Sequence, residues 1–257
     1  MDKKIVQEYY NQRWKNRDAE NNDRIGWAYE KCIIDSTIIK KLRDFNPKKI
    51  LEVGIGKGDL AKKISKCHDM DFKEYVGIDL SNEGVKIASK NVDDQRFSFK
   101  MFDCTNMPFK SQFDLIIFSE VLEHVENKNK AINEIEKSLV PGGILILTTP
   151  NPNALIYLIP KKLNWNQKTN YGSSQIVNDL IEKESLLHAL KKSNFEIKGY
   201  KGLILKSYFV SMIENKLNRP ILRSLFEYLG NKEFSSKYNL YQMVIAKKCG
   251  KKKEKTA

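Results

Sequence analysis

Short apolar runs alternate with amphipathic stretches through the middle of the chain. Between residues 49 and 149, each apolar run has the length of a buried strand, and the stretches between the runs repeat at helical spacing. Two more apolar runs follow nearer the C-terminal end. The pattern predicts strands at 49–53, 75–80, 97–102, 113–119, 144–149, 195–200 and 240–246. It predicts helices at 60–65, at 82–91 with Ser81 as N-cap, at 128–139 before Pro141-Gly142-Gly143, and at 181–193.

This alternation predicts a doubly wound α/β fold. We expect a mostly parallel, seven-stranded sheet with helices on both faces, because alternating strands and helices form parallel units. In such sheets the loops that follow the strands lie along one edge, where ligands bind. Candidate chemistry is therefore expected directly after the predicted strands.

Both ends of the chain carry additions to this core. The N-terminal segment is aromatic-rich, and its apolar positions recur at helical spacing until Asn46-Pro47. We predict that it forms a helical lid or cap, with Tyr10, Trp14, Arg24 and Trp27 as candidates to cover a ligand. Ordinary core packing of these aromatic side chains is the alternative, and the pattern slightly favours it. The predicted organisation is a lid at 1–46, a catalytic domain at 47–247 with insertions at about 151–178 and 206–236 (the second helical), and a disordered basic tail at 248–257.

Composition narrows the class of protein. The chain is 41% hydrophobic and 30% charged, which is typical of a soluble globular protein. No apolar run approaches the roughly 20 residues of a membrane-spanning helix, and residues 1–5 do not resemble a signal peptide, so we expect a cytoplasmic protein. The four cysteines form no Cys-x-x-Cys pair and are interpreted as free thiols. The net charge of +13 leaves a nucleic-acid partner open, but a solvated lysine-rich surface is the preferred interpretation.

A glycine-rich turn follows the first predicted strand. Gly54, Gly56 and Gly58 lie between that strand and the next helix, an arrangement typical of a nucleotide-binding loop. A dinucleotide fingerprint would place another glycine at the position of Asp59. Because a carboxylate there repels a pyrophosphate, the loop favours a ligand without phosphate.

Two acidic residues indicate the kind of ligand. Glu52 ends the first strand just before the glycine turn and suits a ligand that carries an ammonium group. Asp79 ends the second strand, where a carboxylate can accept hydrogen bonds from both ribose hydroxyls. A nucleoside with a zwitterionic, phosphate-free tail is therefore inferred, and S-adenosylmethionine fits that description.

Five segments in order carry a resemblance to a known family: Ile50–Gly58, Val76–Ser81, Asp103–Phe109, Phe113–His124 and Leu139–Leu145. They resemble the class I S-adenosylmethionine-dependent methyltransferases, and specifically the group that includes the ubiquinone-biosynthesis O-methyltransferases and the type 11 methyltransferases. The family more often has Cys or Ala where this chain has Ile55. The resemblance implies a Rossmann-like fold, a methyltransferase activity and S-adenosyl-L-homocysteine as product.

The resemblance also implies a role for each matching position. For Asp103 and Ser119, a purely structural role in a turn or cap stays open. Arg24, in the predicted lid, is a candidate for the cofactor carboxylate. The implied cofactor-binding residues are Glu52 with the backbone of Gly54, Gly56 and Gly58 at the methionine end, Asp79 at the ribose, Leu80, Asp103 and Cys104 at the adenine, and Ser119 with Glu120 near the sulfonium.

Titratable side chains are concentrated in Glu120-Val121-Leu122-Glu123-His124. In the ubiquinone O-methyltransferases a similar arrangement is associated with a divalent metal. His124 could instead act as a general base, or Glu123 and His124 could cap the loop after the fourth strand. We predict His124 and Glu120 as catalytic residues and assign no metal ligand, while the structural alternative stays open.

The predicted activity is methyl transfer to oxygen or nitrogen of a small-molecule acceptor, such as a quinone precursor, a sugar or another metabolite. An RNA or protein methyltransferase is an alternative suggested by the positive charge. A non-catalytic cofactor-binding protein is a third, which the intact glycine turn and Asp79 argue against. The residues Pro150-Asn151-Pro152-Asn153 differ from the Asn/Asp-Pro-Pro-aromatic signature of base-amino methylation.

Overall fold

The computed structural model describes residues 3–15, 25–155, 180–204 and 237–250. The described helices are α1 (Lys3–Lys15), α2 (Ile25–Phe45), α3 (Asp59–Ser65), α4 (Asn82–Asn91), α5 (Lys128–Ser138) and α6 (Lys183–Lys192), with a short 3₁₀ helix at Leu122–His124. The described strands are β1 (Lys49–Val53), β2 (Glu74–Asp79), β3 (Phe97–Met101), β4 (Phe113–Ser119), β5 (Leu139–Pro150), β6 (Phe195–Leu203) and β7 (Tyr241–Lys248).

The seven strands form one mixed sheet in the order β3-β2-β1-β4-β5-β7-β6. Strands β1 to β5 pair in parallel, whereas β7 is antiparallel to both β5 and β6. The prediction of a Rossmann-like α/β fold with a mostly parallel sheet is therefore confirmed. Because β1 lies between β2 and β4, the chain leaves β1 in one direction and β4 in the other, which opens a crevice at this switch point. The register pairs Val53 with Phe118, so the glycine turn and the turn at Glu120 open at the same sheet edge.

Buried apolar side chains cover both faces of the sheet. Alternate residues of β1 point to opposite faces, with Leu51 and Val53 in one core and Ile50 in the other. The first core includes side chains of α5 and α6, and the second includes side chains of α2 and α3. Packing against these helices fixes the positions of β1 and β4 in the sheet. The carboxyl ends of these two strands position the site.

The fifth strand begins earlier than its sequence predicts. The Pro141-Gly142-Gly143 run was expected to separate a helix from a strand at 144–149, but β5 already begins at Leu139, where it pairs with Phe113. The pairing then shifts between Phe113 and Leu115, and Gly142 adopts a φ of +82°. The extra residues are accommodated as a bulge, which glycine permits without steric cost.

Several predicted features lie outside the described residues: the insertion at 206–236, most of the insertion at 151–178, the side chains of Arg24 and Trp27, and the tail from residue 251. Within the described parts of the chain, every helix is too short or too polar to cross a membrane.

Candidate functional site

The glycine turn is shaped by backbone conformations that L-residues rarely adopt. Gly54 and Gly56 have φ values of +81° and +53°. The backbone N–H of Gly54 donates to the carbonyl of Ile78 at 2.7 Å, which ties the turn to β2. A Cβ at Gly54 would lie 2.1 Å from Cγ2 of Val121, so only glycine fits there. The turn therefore lies directly against the segment that follows β4.

Asp79 connects the glycine turn to the start of α4. Its Oδ2 accepts the N–H of Gly56 and its Oδ1 accepts the N–H of Ser81, each at 2.8 Å. Burial raises the pKa of Asp79, although these two N–H donors oppose the change. Each carboxylate oxygen has a second lone pair, so the side chain can hold the turn and still accept from ribose hydroxyls.

Glu52 lies inside the sheet one residue before the end of β1. It is 5% exposed, and its Oε2 accepts a hydrogen bond of 2.6 Å from the hydroxyl of Tyr75. Burial raises its pKa to about 8, although the Tyr75 hydrogen bond acts in the opposite direction. A buried carboxylate beside a glycine turn favours a cationic ligand group, since such a group would compensate its charge.

The turn after β4 brings two further acidic side chains to the same edge, the half-buried Glu120 and the buried Glu123. Glu120 has a φ of +57°, which is a strained conformation for a side chain of this size. The hydroxyl of Thr148 donates to Oε1 of Glu120 at 2.9 Å, and Ser119 contacts that hydroxyl at 2.8 Å. The hydroxyl of Thr149 donates to Oε2 of Glu123 at 3.1 Å. Burial raises the pKa of both acids, and the charge of Glu123 raises that of Glu120 further.

His124 lies next to these acids at the end of the short 3₁₀ helix. Its Nε2 is 3.7 Å from Oε1 of Glu123, and its side chain is 12% exposed. The ring of Tyr10 packs edge-on against the imidazole, with ring centres 5.7 Å apart. The imidazole is therefore held between a carboxylate and an aromatic ring, an arrangement that can orient a general base.

Asp103 and Cys104 follow β3 at the side where the resemblance implies adenine. Oδ1 of Asp103 accepts the N–H of Thr105 at 2.8 Å, and its Oδ2 lies 2.8 Å from Nζ of Lys3. Burial would raise the pKa of Asp103, but the Lys3 ion pair and the Thr105 N–H outweigh it and lower the pKa. Burial raises the pKa of the Cys104 thiol to about 12, so this thiol stays neutral. The Thr105 contact is the turn role left open by the sequence, and it leaves lone pairs on Asp103 for a ligand.

One face of α1 runs along this edge of the sheet. Gln7 donates to the carbonyl of Leu80 at 3.0 Å, and the hydroxyl of Ser81 lies 2.7 Å from Oδ1 of Asn11. A Cβ on Gly56 would lie 2.9 Å from the ring of Trp14. Gln7, Asn11 and Trp14 are spaced four and three residues apart, which puts them on one helical face. The first helix therefore lies against the candidate cofactor residues, and its role as a lid stays a prediction.

The structure brings together all the predicted site residues that it describes. Arg24 lies outside the described residues. Residues that the sequence analysis missed are the hydroxyl donors Tyr75, Thr148 and Thr149. The two threonines follow an apolar run at the carboxyl end of a predicted strand, which was a usable signal. In the described part of the chain, no group of three or more His, Cys, Asp or Glu side chains is arranged to hold a metal ion.

A sequence profile described as "Methyltransferase domain" matches residues 27–198. The chain belongs to this methyltransferase family. It is 27% identical over 233 residues to a ubiquinone biosynthesis O-methyltransferase of Rickettsia typhi, a match that covers 85% of this chain and 88% of the relative. The predicted family, enzyme class and methyl donor are thereby confirmed: the chain is an S-adenosylmethionine-dependent methyltransferase.

Solved structures agree on the fold of this methyltransferase. The N-methyltransferase NodS from Bradyrhizobium japonicum, in complex with S-adenosyl-L-homocysteine, has a TM-score of 0.60 at 14% identity, covering 95% of this chain and 98% of its own. The [4+2]-cyclase SpnF has a TM-score of 0.64 at 19% identity and 96% coverage of both chains. Since one of these is named for a cyclisation, the shared fold alone does not determine the reaction.

Proposed function

We propose that this enzyme methylates a small-molecule acceptor at oxygen or nitrogen, and that a phenolic hydroxyl of the quinone-precursor type is the first acceptor to test. The observation that carries the proposal is the His124–Glu123 pair beside the glycine turn. A base at this position is needed when the acceptor is a weak nucleophile until it loses its proton. The O-methyltransferase name of the Rickettsia typhi relative, which spans most of both chains, supports the same acceptor class.

The residues present fit S-adenosylmethionine as methyl donor. The fit rests on the chemistry of the donor set: Glu52 is a buried carboxylate beside the glycine turn, and Asp79 is tied to that turn through the N–H of Gly56. In the proposed assignment, Glu52 accepts from the ammonium group, Asp79 from the ribose and Asp103 from the adenine amino group. Leu80 and the backbone N–H of Cys104 would line the adenine side, and Ser119 with Glu120 the sulfonium side.

The catalytic work left to the protein is alignment and proton removal. When bound, S-adenosylmethionine supplies a methyl group already activated on sulfur, so holding the acceptor in line supplies much of the acceleration. His124 would take the proton of the acceptor hydroxyl as the new bond to carbon forms. The Glu123 carboxylate, 3.7 Å from Nε2, would stabilise the resulting imidazolium. Glu120, held by Thr148, would border the acceptor side of the pocket.

An amine acceptor is the second candidate. The turn after β4 places two carboxyl groups at the site, the half-buried Glu120 and the buried Glu123. Carboxylates of this kind attract a protonated amine, and the same base would remove its proton before transfer. Methylation assays with matched phenol and amine acceptors distinguish the two candidates.

Calorimetry with S-adenosyl-L-homocysteine tests the cofactor assignment. Wild type should bind, and Asp79→Ala should bind roughly 10- to 100-fold more weakly, since hydrogen bonds to a charged group contribute about 1.5–3 kcal/mol. Asp59→Ala is the matched control, because this acid lies in the same segment but is 44% exposed beside Lys57. Undiminished binding by Asp79→Ala would overturn the assigned site, and no binding by wild type would overturn the cofactor placement. Methyl uptake screens would then rank phenols, amines and sugars; transfer to RNA or protein alone would overturn the acceptor class.

A further inference from the structure

Tyr10 brings to the site a hydroxyl that no described residue satisfies. Its Oη is buried and has no hydrogen-bond partner in the described part of the chain. Its ring packs edge-on against both Tyr9 and His124, with ring centres 5.1 and 5.7 Å apart. Buried polar groups are nearly always paired, so an orphaned hydroxyl at a ligand-binding edge points to a partner that arrives with the ligand.

The contacts of α1 place Tyr10 between the candidate cofactor residues and His124. On one side of it, Gln7 donates to the carbonyl of Leu80. On the other side, the ring of Trp14 lies against Gly56. Tyr10 itself contacts His124 on the acceptor side. In the proposed placement of the cofactor, a group at this position would face the methionine portion, which lies between the ribose and the acceptor.

The hydroxyl has the chemistry of a neutral donor. Burial raises the pKa of Tyr10 far above its ordinary value, Arg13 opposes the change, and the charges of Glu123 and Asp79 add to it. The O–H therefore keeps its proton at every physiological pH and needs an acceptor. The nearby guanidinium of Arg13 favours an anionic acceptor. A neutral O–H donor next to a cation suits a carboxylate.

We propose that Oη of Tyr10 donates a hydrogen bond to the carboxylate of the methionine portion of the bound cofactor. The inference rests on the proposed placement of the cofactor between Asp79 and Glu120. Glu52 of β1 then accepts from the ammonium group, and Tyr10 of α1 donates to the carboxylate. The two charged groups of the amino-acid tail are thus bound by different elements. The first helix thus supplies a cofactor-binding residue in addition to covering the site.

Tyr10→Phe removes only the hydroxyl and keeps the ring against His124. The free protein should melt at the same temperature as wild type or higher, because the lost group was buried without a partner. Affinity for S-adenosyl-L-homocysteine should fall roughly 5- to 30-fold, and KM for S-adenosylmethionine should rise while kcat changes little. Tyr9→Phe is the matched control on the neighbouring residue: its hydroxyl already accepts from Arg13 at 3.3 Å, and it should leave the affinity unchanged.

Calorimetry with 5′-methylthioadenosine locates the partner group, since this compound keeps the adenine, ribose and sulfur but lacks the amino-acid tail. Tyr10→Phe should bind it as wild type does. Equal weakening for both compounds would assign Tyr10 to the nucleoside and overturn the inference, as would unchanged affinity for S-adenosyl-L-homocysteine. If wild type bound 5′-methylthioadenosine but not S-adenosyl-L-homocysteine, the carboxylate site would be overturned; if it bound neither, the proposed cofactor site would fall with it.

Discussion

The hydroxyl of Tyr75 lies 2.6 Å from Oε2 of Glu52 in the interior of the sheet. Burial raises the pKa of Glu52 to about 8 even with this hydrogen bond. In the ligand-free protein, Glu52 therefore holds a proton through most of the neutral range. To accept from the ammonium group of the cofactor it must release that proton, so that binding and proton release are linked.

Binding of S-adenosyl-L-homocysteine should consequently strengthen as pH rises. Below the raised pKa, the association constant should increase by up to about tenfold per pH unit, and the increase should level off above about pH 8. Calorimetry between about pH 6.5 and pH 8.5, in two buffers of different ionisation enthalpy, measures both the affinity and the proton released. An affinity independent of pH, with no proton released, would contradict the role of Glu52.

Glu52→Gln is the control, and the sign of its effect on the free protein follows from the same pKa. A carboxyl whose folded pKa lies above its unfolded value of 4.5 stabilises the fold at low pH, and this contribution is lost as pH rises through about 8. The glutamine variant should therefore remove part of the fall in melting temperature between about pH 4.5 and pH 8. It should also bind the ligand more weakly and without the pH dependence.

Much of this site was predictable because it lies where strands end. The bounds of β1 and β4 equal the predicted 49–53 and 113–119. That agreement placed Glu52 and Glu120 at the carboxyl edge. Both strands are short and mostly apolar, and a glycine or an acidic residue directly follows each, so the local pattern indicates where they end.

The Tyr75–Glu52 pair could not be predicted from the sequence in the same way. Tyr75 pairs with Ile50, and Glu52 pairs with Gly77, so the tyrosine and the glutamate are diagonal neighbours on one face of the sheet. A shift of one residue in the β1–β2 register would have put them on opposite faces. Register depends on packing across the whole sheet, and Tyr75 by itself looked like one more apolar strand residue.

Gly54 and Gly142 share a backbone conformation but differ in the space around them. Their φ values are +81° and +82°. An added Cβ would lie 2.1 Å from Val121 at the first and 3.6 Å from Lys247 at the second. Gly142→Ala should therefore cost only the conformational strain, about 1–2 kcal/mol, and bind S-adenosyl-L-homocysteine normally. Gly54→Ala should be more destabilised and lose ligand binding, because the clash moves the glycine turn.

Thermal melts and calorimetry on these two variants separate the cost of the positive φ from the cost of the clash with Val121. In Gly54→Ala/Val121→Ala the side chain in the way is shortened, so part of the lost stability should return. Equal effects of the two alanine variants on ligand binding would show that close approach to Val121 does not shape the site.

Asp35 connects α2 to α3. Its side chain is 0% exposed; it accepts from Lys31 and lies 2.8 Å from Nζ of Lys63. Breaking a buried ion pair leaves charges without compensation, and because both lysines reach solvent we expect Asp35→Asn to cost roughly 2–4 kcal/mol of unfolding free energy. Denaturant melts measure this cost. Asp44→Asn, which removes an exposed pair with Lys41 on the same helix, should have no measurable effect. Equal effects of the two variants would contradict a stabilising role of the buried Asp35 ion pairs.

Acceptors of different acidity distinguish a catalytic role of His124 from a structural one. If the imidazole removes the acceptor proton, His124→Gln should lower kcat about 10²- to 10⁴-fold with an ordinary phenol. With a phenol acidic enough to be ionised at the assay pH, no base is needed, and most of that loss should disappear. S-adenosyl-L-homocysteine should bind within about twofold of wild type, since the backbone N–H of His124, which donates to Val121 at 2.9 Å, is retained.

The exposed His68 supplies the matched control, because His68→Gln makes the same change outside the site and should leave kcat unaltered with either phenol. If Glu123 stabilises the imidazolium, Glu123→Gln should give a smaller loss with the same dependence on acceptor acidity. A loss of activity in His124→Gln that is equal for both phenols and accompanied by weaker cofactor binding would instead assign His124 to capping the turn after β4. In that case deprotonation would have to be assigned elsewhere, with Glu120 as the remaining titratable side chain predicted for catalysis.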